Sequence, residues 1–99
     1  MREIIFSKKA VEDFTGIWNY TFDTWSERQA DKYYELLIDF CRRLADNPNL
    51  GKVYPEIADN IMDYKAGQHI IFYQDTSDKE IVILRVLHAR MDLKSRMED

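Results

Sequence analysis

The stretch IMDYKAGQHIIFYQDTSDKEIVILRVLH, residues 61–88, decides the fold. Ile61–Lys65, Gln68–Gln74 and Glu80–His88 are rich in β-branched and aromatic residues. Each is separated from the next by turn chemistry: Ala66-Gly67, then the polar run Asp75-Thr76-Ser77-Asp78-Lys79. Short links of this kind join antiparallel neighbours, so the segment is expected to form a three-stranded meander. Ile81-Val82-Ile83-Leu84 is apolar on both faces, which places the last strand inside the sheet.

Working back towards the N-terminus, the apolar period changes from two to that of a helix. Ala30, Tyr33, Leu37, Phe40 and Leu44 recur on one face, with Tyr34 and Cys41 beside them. Ser26-Glu27-Arg28-Gln29 matches a capping box, and Asn47-Pro48 stops the helix near Asp46. Val11, Phe14, Trp18 and Trp25, widened by Ile17 and Phe22, give an earlier helix over residues 8–24 with Ser7 as its N-cap. Gly16 weakens that helix by up to ~1 kcal/mol, a cost best tolerated where packing is close. Arg2–Phe6 reads as a short strand, and residues 47–60, which hold both prolines, as a loop with one turn at Glu56–Asp59. Asp92 is placed to cap a final helical turn through Met97.

The order is β-α-α-β-β-β with a short C-terminal helical turn. It predicts one α+β domain over residues 1–99, a two-layer sandwich in which a helical hairpin covers one face of an antiparallel sheet. The other face is expected to meet a partner.

Composition narrows the function. The chain has 14 basic and 18 acidic residues and a net charge of −4, which argues against direct nucleic-acid binding. No apolar run approaches a membrane span, the N-terminus does not read as a signal peptide, and the one cysteine forms no internal disulfide. A cytoplasmic protein is expected. Cys41 reads as a small buried hydrophobe, and Trp18, Trp25 and the helical tyrosines as core. With only two histidines and one cysteine, no metal or other cofactor is expected. Phosphate loops, nucleophile elbows and zinc helices are absent from the sequence.

His69 and His88 lie on strands of one hairpin, with the register open, and read first as structural hydrogen-bonding groups. Arg85, Arg90, Lys94 and Arg96 are opposed by Asp92 alone, a local reversal of charge that suits either an acidic partner or a solvated end. Glu27, Asp31, Glu35 and Asp39 form a single-sign acidic stripe, which reads as a water-exposed face.

Several stretches, in order over nearly the whole chain, resemble the ParE branch of the ParE/RelE toxin superfamily. They are the Trp18 region, Ala30-x-x-Tyr33-x-x-x-Leu37, and Leu44-Ala45-Asp46-Asn47-Pro48-x-Leu50-Gly51. Gly67-x-His69-x-Ile71-Phe72-Tyr73 and Ile81-x-Ile83-x-Arg85-Val86-Leu87-His88-x-Arg90-x-Asp92 complete the set. The resemblance implies a bacterial toxin of a type II toxin–antitoxin pair that inhibits DNA gyrase without being an enzyme. It further implies a ParD-like antitoxin whose C-terminal segment wraps the toxin. His69, Arg85, His88, Arg90, Asp92, Lys94 and Arg96 become the expected contacts for antitoxin or target. RelE-like relatives cleave mRNA on the ribosome, and Glu56, Arg85 and His88 are the residues available for that chemistry. Ala89 follows His88 and no tyrosine occurs after Tyr73, a departure that counts against the ribonuclease. A folded but non-toxic family member is the third alternative.

Overall fold

A computed structural model of the chain describes residues 2–53 and 60–89. Strand β1 (Glu3–Phe6) leads into helices α1 (Lys8–Thr24) and α2 (Glu27–Asp46). A 3-10 turn (Pro48–Leu50) and strands β2 (Lys52–Val53), β3 (Met62–Ala66), β4 (His69–Gln74) and β5 (Glu80–His88) follow. The sheet order is β1-β5-β4-β3-β2.

The helix boundaries fall where the caps put them. Ser7 Oγ accepts from the Ala10 amide at 3.0 Å and donates to the Leu84 carbonyl at 2.7 Å, so one hydroxyl both starts α1 and ties it to β5. Ser26 Oγ accepts from the Gln29 amide at 3.1 Å. That is half of the expected capping box. The Gln29 side chain lines a cavity instead.

The meander forms as expected, with β3, β4 and β5 antiparallel. β1, however, runs parallel to β5, pairing Ile4 with Ile81 and Phe6 with Ile83, so the sheet is mixed rather than antiparallel throughout. A helical layer separates the two strands in sequence, and such a crossover permits parallel pairing; a strand's period of two carries no direction. Lys52–Val53, read as loop, adds a two-residue strand beside β3. The turns at Glu56–Asp59 and Asp92–Met97 lie outside the described residues.

One irregularity matters for the site. Tyr73 pairs with Ile83 and Phe72 with Arg85, leaving Leu84 as an extra residue in β5. This bulge reverses the alternation along β5. Ile81 and Ile83 face the helices before it, and Val86 does so after it, all three in one core with Ala10, Phe14, Leu37, Cys41 and Leu44. His88 keeps step with Val86 and is carried to the helix side.

Cys41 is fully buried and its thiol is pushed up to about 12 by burial, as befits an inert core residue. Helix α1 departs from expectation. Phe14 and Ala10 are buried, but Val11 (53% exposed), Phe22 (45%) and Trp25 (72%) are not core. Helical spacing identifies an apolar stripe without saying whether it meets core or groove. Gly16 likewise meets no close packing: a Cβ there would touch no described atom within 4 Å. Gly16→Ala is therefore expected to stabilise the protein by about 0.5–1 kcal/mol, visible as a thermal midpoint several degrees higher.

The face turned away from the helices is not bare either, since Phe72 and Leu87 are buried. The main concavity is on the helix side.

Candidate functional site

Beyond the end of β1, helix α1 lies alongside β5 where a further strand would otherwise pair. Asp13 takes that strand's place. Its Oδ2 accepts from the Val86 amide at 3.0 Å and from Arg85 Nε at 2.8 Å, while Oδ1 accepts from an Arg85 terminal nitrogen at 3.0 Å. A forked guanidinium–carboxylate pair of this kind is directional as well as charged. Arg85 is thus committed to holding α1 on the sheet.

Next to this pair, α1, the start of α2 and the ends of β4 and β5 enclose a cavity of about 830 Å³. Ile17, Tyr20, Trp25 and Val86 give it apolar walls, and His69, His88, Tyr33 and Gln29 its polar groups. His69 and His88 stand directly opposite each other, with ring centroids 5.3 Å apart and planes at 77°. The register left open by the sequence is therefore closed, and the bulge is what aligns the pair.

Tyr33 organises the histidines. Its hydroxyl accepts from the Gln68 amide at 3.0 Å and lies 2.6 Å from His69 Nδ1. The hydroxyl donates to Nδ1 in the neutral tautomer that carries its hydrogen on Nε2. Burial, then the neighbouring His88, lower the His69 pKa to about 4 against the opposing pull of Asp13. Burial also raises the Tyr33 pKa. Burial makes the protonated form of His69 the disfavoured one at this position.

This gives stability a sign with pH. The unfolded chain binds the histidine proton near pH 6.5 and the folded chain only near pH 4, so the contribution is complete above 6.5 and lost as pH falls towards 4. The ring is partly exposed, and solvent screening trims the effect to about 1 kcal/mol between pH 7 and pH 5. Urea midpoints at the two pH values should show it, and His69→Gln should remove most of the difference.

Of the residues expected at the site, His69, Arg85 and His88 are brought together. Arg90, Asp92, Lys94, Arg96 and Glu56 lie outside the described residues. Asp13 and Tyr33 were missed. Asp13 carried a signal: it falls between Ala10 and Ile17 on the inward side of α1, where an acid needs a partner. Tyr33 read only as core.

Two helices over a mixed five-stranded sheet define a two-layer α+β fold. The fold matches the chromosomal ParDE toxin–antitoxin system of P. aeruginosa with a TM-score of 0.76 at 19% identity, covering 89% of this chain and 96% of that one. It matches the RelBE2 complex of Mycobacterium tuberculosis with a TM-score of 0.67 at 19% identity, over 88% and 96%. In sequence, the family described as ParE toxin of type II toxin–antitoxin system, parDE, matches residues 4–93. Toxin ParE1 of Mycobacterium tuberculosis is 36% identical over 89 residues, 90% of this chain and 91% of the relative. Toxin ParE of Escherichia coli is 27% identical over 99 residues, 100% and 96%. The chain belongs to the ParE toxin family, within the ParE/RelE superfamily.

Proposed function

We propose that this toxin acts by binding rather than by catalysis, inhibiting a type II topoisomerase, DNA gyrase, so that it stalls with DNA broken. A ParD-like antitoxin, its C-terminal segment wrapped around the toxin, keeps it inactive in the cytoplasm. Family membership supports the toxin role, and no helix among the described residues is long and apolar enough to cross a membrane.

The observation that carries the binding mode is the employment of the polar groups. RNA cleavage through the 2′-hydroxyl needs a base, an acid and a cation aimed at developing charge. Here Arg85 is engaged by Asp13, and His69 is held neutral with Nδ1 taken by Tyr33. The remaining wall, Ile17, Tyr20, Trp25 and Val86, suits an apolar anchor from another protein. The basic residues Arg90, Lys94 and Arg96, with Asp92, are proposed to extend the contact from the adjoining end of the chain.

Purified toxin at micromolar concentration should block gyrase supercoiling and accumulate cleaved DNA. Tyr20→Glu together with Trp25→Glu, at exposed positions on the cavity wall, should weaken inhibition at least tenfold with the fold intact. Undisturbed supercoiling and no cleaved DNA would defeat the gyrase assignment. Unharmed growth on expression without antitoxin would leave only the non-toxic alternative.

A further inference from the structure

Among the described residues nothing requires a glycine at position 16. Gly16 lies within α1 without a positive φ, and a Cβ there would meet no described atom within 4 Å. Glycine nevertheless weakens a helix interior relative to alanine. The space left by its missing side chain opens into the histidine cavity, which Gly16 lines with Glu12 one turn before it and Tyr20 one turn after. Bare helix backbone between two flanking side chains forms a notch in which a group from another molecule can lie close.

The surroundings of the notch define what fits. Tyr20 and Trp25 stay 69% and 72% exposed although both line this concavity, so their rings are open to contact. The charges of the cavity do not cancel. Asp13 and Arg85 neutralise each other, and burial, which lowers the His69 pKa to about 4, leaves that ring uncharged at neutral pH. Glu12 forms no salt bridge among the described residues. Two open aromatic rings and a carboxylate beside bare backbone suit a cation carried on an apolar stem.

We propose that this notch receives an arginine side chain of a partner protein, its methylenes over Gly16 and Ile17 and its guanidinium stacked on the Tyr20 and Trp25 rings and paired with Glu12. Arginine suits the place better than lysine, because a planar guanidinium both stacks and offers a fork to a carboxylate. Arginine is also enriched among the anchors that dominate protein interfaces. Phosphates of a nucleic acid would meet the like charge of Glu12. This anchor rests on the cavity being the recognition surface proposed above, and not on gyrase being the partner.

The ¹⁵N-labelled full chain is titrated with N-acetyl-arginine methylamide and, in parallel, with its citrulline counterpart, which keeps the length and shape without the charge. The arginine compound should shift the Gly16 amide and Trp25 indole signals at millimolar concentration. It should leave the indole of Trp18, which lies outside the cavity, in place. The citrulline compound should bind at least fivefold more weakly, and Glu12→Gln should weaken arginine binding to a similar degree. Gly16→Leu fills the notch with a better helix former, so it should melt no lower than the parent yet lose the Trp25 shift. An unmoved Trp25, equal binding of the two compounds, or an undiminished shift in Gly16→Leu would overturn the inference. In the supercoiling assay Gly16→Leu should need at least tenfold more protein for the same inhibition. Arginine docking without any gyrase inhibition would remove gyrase and keep the anchor, whereas full inhibition by Gly16→Leu would remove the anchor and keep gyrase.

Discussion

Asp13→Ala is expected to cost about 3–5 kcal/mol of folding stability, the size of effect seen when one partner of a buried ion pair is removed. The side chains of Arg85 and Asp13 are only 15% and 14% exposed, so water cannot take over the role of the lost carboxylate. Two separate groups lose an acceptor: the Arg85 guanidinium and the Val86 amide, which has no strand beside it at that point. Urea unfolding would lose a large share of the 5–15 kcal/mol that ordinary domains possess. Replacing both partners, Asp13→Leu with Arg85→Met, should recover part of the loss, because no charge is then left buried. A loss below about 1 kcal/mol for Asp13→Ala would mean that the pair behaves as a screened surface bridge and does not hold α1 on the sheet.

Gly51→Ala should be nearly as damaging, at about 3 kcal/mol. A Cβ there would collide with the Tyr73 hydroxyl and come within 2.6 Å of the Asp63 carbonyl oxygen, a backbone atom that cannot swing aside. The Tyr73 hydroxyl donates to the Pro48 carbonyl at 2.6 Å and accepts from the Gly51 amide at 2.9 Å, closing the 3-10 turn onto the sheet. Tyr73 is fully buried, so displacing it adds unsatisfied polar groups to the overpacking. Tyr73→Phe removes the colliding atom, and the double variant should lose clearly less than the sum of the two single losses. Additive losses, measured by denaturant unfolding, would show that the hydroxyl is not the obstacle.

The legible parts of this fold were those written in local chemistry. Ser7, Ser26 and Pro48 delimit two helices, and Ala66-Gly67 with Asp75–Lys79 delimit the meander, because caps and turns act over three or four residues. Family likeness added His69, Arg85 and His88, which do meet at one cavity. What stayed hidden depends on distant segments. The parallel docking of β1 and the bond from Asp13 to Val86 each join residues more than 70 positions apart, whereas the bulge at Leu84 lies within one hairpin. The bulge was least accessible, since Ile81-Val82-Ile83-Leu84 is apolar on both faces and conceals any change of alternation. Trp25 was misplaced for a related reason: an aromatic wall of a cleft and an aromatic in a core have the same spacing.

The role assigned to this toxin depends on its polar groups serving architecture while its apolar cavity serves recognition. Adding the protein at micromolar concentration to a translating extract and following transcript integrity tests that division most directly. Full-length transcripts are predicted throughout. Transcripts cut at discrete positions, with the cutting abolished by His88→Ala, would contradict the account and make the histidine cavity an active site.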